Sequence, residues 1–196
     1  MKQTKAETNQ VEMSVELADN CLDDGIAILD FGSQFSQLIA RRIRELKTYC
    51  EILPFSVSAA ELKRLNPKGI ILSGGPGSVY DQFAPRLDKA AWKLGLPVFG
   101  ICYGMQLMAH DLGGKVEPSS EREYGRALLT IAHHENLFAN LDPSIESWMS
   151  HGDSVDGLPE GFSTIASTMN TPIAAIANPI QKFYGVQFHP EVVHTT

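Results

Sequence analysis

In Gly100-Ile101-Cys102-Tyr103-Gly104 a cysteine sits between two glycines, each two residues away, with an apolar run before it and a helical pattern after it. This is the thiol counterpart of the G-x-S-x-G nucleophile elbow. A sharp strand-to-helix turn leaves no room for side chains beside the nucleophile, hence glycine. The turn also puts the thiol at a helix N-terminus, where unpaired N–H groups and the helix dipole favour thiolate. The N–H of Tyr103 would then face the substrate oxygen. A buried structural cysteine is the other reading of the segment. Cys50, in a strand pattern without flanking glycines, and Cys21, in the polar N-terminal stretch, take that plainer reading.

Ser73-Gly74-Gly75-Pro76-Gly77-Ser78 follows another apolar run. It lacks the Lys-Ser/Thr of a P-loop and the six-residue glycine fingerprint. Either it is a tight structural turn, or it lies at the C-terminal edge of a parallel sheet, where ligands bind. Cys102 falls on the same edge, so a loop N–H would complete an oxyanion hole with that of Tyr103.

Phe188-His189-Pro190-Glu191 comes near the end, after a strand pattern. In an extended chain residues two apart project to one side, so Glu191 would orient the His189 imidazole. Cys102, His189 and Glu191 then form a Cys-His-Glu relay in triad logic. A lone histidine at a strand end is more often structural.

The elements that must position these residues follow from the apolar pattern. Short apolar runs at 25–31, 50–55, 69–73 and 97–101 read as buried strands. Between them, residues 35–47 carry Leu38, Ile39, Ile43 and Leu46 at helical spacing. Ser58-Ala59-Ala60-Glu61 is a capping box, 86–94 reads as helix, and a helix over 105–112 ends at Gly113-Gly114. The alternation predicts an α/β fold with a mainly parallel central sheet flanked by helices. Strand patterns at 126–132, 145–149, 162–167, 173–177 and 182–188 predict an antiparallel extension in the second half.

The chain has 196 residues, 43% apolar and 20% charged, with a formal net charge of -7. One sizeable core is within reach of that length. The acidic balance argues against a nucleic-acid or anionic-membrane partner. No run is long enough to span a bilayer, and the polar N-terminus is no secretory signal, so the expected compartment is cytoplasmic. Three cysteines and six histidines match no disulfide framework or metal-ligand spacing, and no metal site is expected. Residues 1–24 hold two lysines against six carboxylates and no aromatic residue, which predicts a disordered acidic tail with at most a short helix at 11–17.

Taken together, the Ser73–Gly77 loop, Gly100-Ile101-Cys102-Tyr103-Gly104-Met105-Gln106 and His189-Pro190-Glu191 resemble the class I, triad-type glutamine amidotransferases, over residues 25–196. Ile28-Leu29-Asp30-Phe31-Gly32-Ser33-Gln34, Ser150-His151-Gly152-Asp153 and Gly185-Val186-Gln187-Phe188-His189-Pro190-Glu191-Val192 look like the amidotransferase domain of glutamine-hydrolysing GMP synthases. The resemblance implies a flavodoxin-like fold and a glutaminase acting through Cys102, His189 and Glu191. It implies an oxyanion hole from the N–H groups of Gly75 and Tyr103. Gly77, Gln106, Ser150, His151, Gly152 and Asp153 would hold L-glutamine, Asp153 taking its ammonium; an aspartate in a tight turn is the alternative there.

The resemblance further implies that ammonia passes to an ATP-pyrophosphatase (synthetase) domain or subunit, which uses ATP and Mg²⁺ to aminate XMP to GMP. No cofactor is implied in this chain. The ATP-pyrophosphatase and dimerisation domains of such enzymes have no counterpart here, so the sequence reads as a fragment or a separate subunit. Rival readings are an amidotransferase for anthranilate, aminodeoxychorismate or carbamoyl phosphate synthesis, a γ-glutamyl peptidase, and a non-catalytic interaction domain.

Overall fold

Four short apolar runs become parallel strands, the three inner ones largely buried on both faces and the edge strand half-buried. They are β1 (Ile26–Asp30), β2 (Cys50–Pro54), β3 (Gly69–Leu72) and β4 (Val98–Ile101). Helices cover them, as a two-sided parallel sheet requires. These are α1 (Ser36–Glu45), α2 (Ala59–Leu65) and α3 (Tyr103–Asp111). The structure is a computed structural model and describes residues 22–195. The predicted helix at 11–17, Cys21 and most of the predicted tail lie outside the described residues. Leu22 is fully buried in the core, and its N–H bonds the Leu65 carbonyl at 2.6 Å.

Five further strands complete one mixed sheet: β5 (Lys115–Ile131), β6 (Ser144–Gly157), β7 (Ser163–Ser167), β8 (Ala175–Asn178) and β9 (Phe183–Val186). The strand order is β2-β1-β3-β4-β9-β8-β7-β5-β6. β9 joins β4 in parallel, and every pairing from β9 outward to β6 is antiparallel. The parallel half with an antiparallel extension is the predicted architecture. Two apolar clusters fill its faces, one gathered around Leu29, Leu72 and Met105, the other around Ile28, Ile101 and Val186.

Local chemistry sets the boundaries. Ser58 accepts the Glu61 N–H at 3.2 Å, so α2 opens on the predicted cap. The predicted helix at 86–94 is instead a short 3₁₀ segment, Lys89–Lys93. The Asp88 carboxylate takes the N–H groups of Ala90 and Ala59, which delays the turn, and Gly95 at φ +73° ends it. α3 begins two residues earlier than predicted, immediately after Cys102.

β5 and β6 far outrun the predicted strands at 126–132 and 145–149. As the outermost pair of the sheet they form a long ribbon whose outer residues meet water, so their charges break no apolar pattern. Residues 187–191 leave the strand, and Pro190-Glu191 is a turn rather than the expected extended chain.

Candidate active site

Cys102 occupies the joint between β4 and α3, at φ 51° and ψ -106°. A non-glycine residue held there is strained by ~1–3 kcal/mol, and such strain concentrates at functional sites. The flanking glycines make the joint feasible. A Cβ on Gly100 would lie 2.6 Å from backbone atoms of Gly104 and Met105, and one on Gly104 would lie 2.7 Å from Leu72 Cβ. The Cys102 N–H bonds the Val186 carbonyl at 2.8 Å, tying the joint to β9. Cys102 is 6% exposed.

His189 and Glu191 meet across the turn at Pro190, with Nδ1 2.8 Å from Oε1. Both side chains are buried. Their backbone is held from two directions. Arg42 on α1 donates from Nε to the Glu191 carbonyl at 3.0 Å, and Thr195 donates to the His189 carbonyl at 2.7 Å. Phe35 packs edge-on against the imidazole, with ring centroids 5.4 Å apart. The Asp30 carboxylate fixes the turn that carries Phe35 by accepting from Gly32, Ser33 and Ser36.

Burial alone would push the His189 pKa down. Hydrogen bonds with Cys102 and Glu191, and the charges of both, outweigh it and raise the pKa to about 10. With Nδ1 engaged by Glu191, Nε2 is the nitrogen left for the sulfur. Gln187, fully buried, donates from Nε2 toward Cys102 Sγ at 3.5 Å.

The glycine loop lies against this group. A Cβ on Gly74 would stand 3.2 Å from His189 Cε1 and 3.8 Å from Cys102 Cβ, and one on Gly75 would collide with the Phe31 carbonyl at 2.7 Å. Ser73 pins the loop by accepting from the Phe31 N–H and donating to the Gly74 carbonyl. Tyr103 is the first residue of α3, so its N–H has no partner within the helix. Its side chain is anchored away from the loop: the phenol donates to the Pro85 carbonyl at 2.6 Å, and burial pushes its pKa up to about 12.

An open pocket of about 580 Å³ brings the pieces together. Gly75, Gly77, Cys102, Gln106, Ser150, His151, Gly152 and Asp153 line it, as do Ser78, Tyr80, Arg122 and Tyr124.

The sequence of residues 27–196 matches the family model for class-I glutamine amidotransferases. The chain belongs to the class-I glutamine amidotransferase family. It is 55% identical over 189 residues to a glutamine-hydrolysing GMP synthase of Synechococcus sp., a match covering 96% of this chain and 35% of that protein. It is 58% identical over 170 residues to the enzyme of the same name from Thermosynechococcus vestitus, covering 87% of this chain and 32% of the relative. The chain thus spans about a third of the length of these curated relatives.

Among solved structures, a Thermoplasma acidophilum protein provisionally assigned to GMP synthase superposes with a TM-score of 0.80 at 29% identity, over 88% of this chain and 86% of that one. A Thermotoga maritima glutamine amidotransferase shares the fold at a TM-score of 0.71 and 20% identity, over 86% and 77% of the two chains.

Within this amidotransferase domain, the segment expected to hold glutamine is part of β6. Asp153 is therefore not in a tight turn. Its carboxylate accepts from Ser78 at 2.5 Å and from Tyr80 at 2.8 Å, which aims it across the pocket. Gln106 spends both amide hydrogens on the Asp153 carbonyl, at 2.9 Å, and on Gln187 Oε1, at 3.1 Å. Only its carbonyl oxygen is left for a ligand. His151 Nδ1 bonds the Asp153 carbonyl at 2.9 Å, and Nε2 lies 3.8 Å from the buried Glu123 carboxylate.

Sequence reasoning passed over Gln187, Ser78, Tyr80, Arg122, Glu123 and Tyr124. A glutamine directly after the apolar run of β9 was a usable signal for the first. The others carry no local signal, because Ser78, Tyr80, Arg122 and Tyr124 reach the pocket, and Glu123 reaches His151, only through the pairing of β5 with β6 and the fold-back of the 73–81 loop.

Proposed function

We propose that this domain hydrolyses L-glutamine and delivers the ammonia to an ATP-dependent synthetase that aminates XMP to GMP. One observation carries the reading: the only sulfur among the described residues of the pocket stands on a strained strand-to-helix joint beside a buried, hydrogen-bonded His189–Glu191 pair.

Cys102 thiolate attacks the side-chain amide carbon. Charge develops on the former carbonyl oxygen, where the N–H groups of Gly75 and Tyr103 stabilise it. His189 gives its proton to the departing ammonia, leaving a glutamyl thioester. Acylation removes the thiolate charge that raised the His189 pKa, so the imidazole becomes a competent base toward water. Hydroxide adds to the thioester, glutamate leaves, and the proton returns the Cys102–His189 pair to its starting state. Glu191 orients the ring throughout, and Gln187 adds a donor to the sulfur. Asp153 and the Gln106 carbonyl oxygen bind the substrate ammonium.

The similarity to glutamine-hydrolysing GMP synthases supports GMP as the product that takes up the ammonia. XMP as the acceptor, and a partner carrying ATP and Mg²⁺ as further length of the same polypeptide or as a separate chain, are what the family resemblance implies. We place the reaction in the cytoplasm. The described cysteines, Cys50 and Cys102, are free thiols, and no helix among the described residues is long and apolar enough to cross a membrane.

The test is ammonia release from glutamine with and without a GMP synthetase partner supplied with ATP and XMP. Stimulation with formation of GMP is the expected result. Stimulation by a chorismate-using or carbamoyl phosphate partner instead would reassign the acceptor. A glutamine-analogue diazo-ketone is expected to alkylate Cys102, as read by mass spectrometry.

A further inference from the structure

Among the described residues, Asp153 and Arg122 are the only Asp, Glu, Lys or Arg lining the pocket. The described residues give Asp153 two hydroxyl donors, but they form no hydrogen bond or ion pair with Arg122. A pocket whose wall carries one anchored anion and one exposed cation is complementary to a zwitterion.

The placement of Arg122 is built into the strand pairing. Pro118 pairs with Asp153 and Glu123 with His151, so four residues of β5, 119–122, face the single residue Gly152 of β6. This bulge redirects the side chain at its end, which is what bulges beside sites do. Glu123 turns inward to its buried network, while Arg122 goes to the pocket. Its Nε lies 3.9 Å from where a Cβ on Gly152 would stand.

We propose that Arg122 is a specificity-determining residue that binds the α-carboxylate of the substrate. The inference rests on the glutamine reading of the pocket. The guanidinium can grip a carboxylate through two N–H groups, a geometry lysine cannot supply. Gln106 cannot serve that purpose, since both its amide hydrogens are already committed. The substrate thus lies with its ammonium toward Asp153, its carboxylate toward the bulge, and its amide toward Cys102.

The experiment measures protection of Cys102 from iodoacetamide by three compounds, in the wild-type chain and in Arg122→Ala, Arg122→Lys and Asp153→Asn. L-Glutamine carries both charges, 4-aminobutyramide lacks the carboxylate, and glutaramate lacks the ammonium. Arg122→Ala is expected to weaken protection by glutamine and glutaramate about tenfold or more, as loss of a charge-assisted bond implies, and to leave 4-aminobutyramide unchanged. Arg122→Lys restores part of the loss. Asp153→Asn gives the mirror result, weakening glutamine and 4-aminobutyramide but not glutaramate. Equal protection by glutamine in wild type and Arg122→Ala overturns the assignment of Arg122. An equal loss for all three compounds overturns it too, as a merely structural effect. Failure of glutamine to protect the wild-type thiol overturns the glutamine reading itself.

Discussion

The Nδ1 atom of His189 lies 2.8 Å from Oε1 of Glu191, with a single proline between the two residues. The pair is buried, and the second carboxylate oxygen has no hydrogen-bond partner among the described residues. The full strength of the carboxylate is thus directed at one imidazole. Removing that charge should change how the imidazole titrates before it changes where the imidazole sits.

With a His189 pKa near 10, the proton needed by the leaving ammonia is present across neutral pH and is lost as pH rises through about 10. Glu191→Gln preserves the side-chain shape but removes one of the influences raising the pKa. The alkaline limb of kcat/KM for ammonia release is expected to move to lower pH in Glu191→Gln. An alkaline limb that stays in place would separate Glu191 from the acid-base chemistry.

The two described cysteines should differ sharply toward alkylation. Cys50 is fully buried, burial pushes its thiol pKa up, and its sulfur donates to the Ala40 carbonyl at 3.4 Å. Cys102 faces the pocket beside a cationic imidazole. Peptide mapping after brief iodoacetamide treatment of the folded protein is expected to find label on Cys102 and none on Cys50, with both labelled in urea. His189→Ala should slow labelling of Cys102 about tenfold or more at neutral pH, since the sulfur loses the neighbouring imidazole that activates it as a nucleophile.

The elbow itself gives a stability prediction. Gly100→Ala would drive a methyl group into the backbone of the first turn of α3, with contacts of 2.6 Å to three atoms. Backbone cannot rotate aside as a side chain can. A loss of about 3 kcal/mol is expected, the upper part of the usual range for overpacking, measured by urea denaturation. Gly95→Ala, where a Cβ would meet nothing within 4 Å, serves as a control, though its φ of +73° also strains alanine, at about 1 kcal/mol. Similar losses in the two variants would mean that the elbow has slack.

How much of this was legible beforehand depends on the range of the interaction. Cys102 with its glycines, and the Ser58 cap, are local in sequence, and both appear where the pattern placed them. His189 and Glu191 were paired for the wrong geometric reason: a proline turn, not an extended strand, brings them together. Asp88 defeated the helix expected at 86–94 by bonding Ala59, 29 residues away. The β5–β6 ribbon was largely unread because one face meets water and the other buries polar residues such as Glu123, Ser147 and His151 among its apolar ones, which breaks the apolar signal. Arg122 and Glu123 share that ribbon, and no spacing rule in a linear sequence reveals a bulge opposite Gly152.

Gly152 offers a test of space rather than charge. It is not in the left-handed region, and a Cβ there would meet nothing closer than the Tyr124 hydroxyl at 3.7 Å. Gly152→Ala should therefore fold with stability within about 0.5 kcal/mol of wild type, as for a substitution away from packed features. The added methyl group occupies the pocket, so KM for glutamine should rise several-fold. A large stability loss would show that glycine is needed there for the fold and not to leave room for a ligand.

Glu123 is the last group whose role can be tested. Its carboxylate accepts from Thr168 and Thr171 and lies 3.8 Å from His151 Nε2. Burial lowers the His151 pKa from the ordinary 6.5, while the Asp153 carbonyl and the Glu123 charge pull the other way. The folded state therefore binds fewer protons at His151 than the unfolded chain just below pH 6.5. Stability at this site is complete above that pH and falls as pH drops below it. Glu123→Gln keeps one acceptor oxygen and supplies an N–H to the lone pair of neutral His151, but removes the charge that favoured protonation. The His151 pKa, followed by NMR titration of its ring proton, is expected to fall further, and the urea midpoint at pH 5 to drop more than that at pH 7. An unchanged or higher His151 pKa in Glu123→Gln would mean that the carboxylate serves Thr168 and Thr171 alone. It would then have no hold on the strand that carries Asp153.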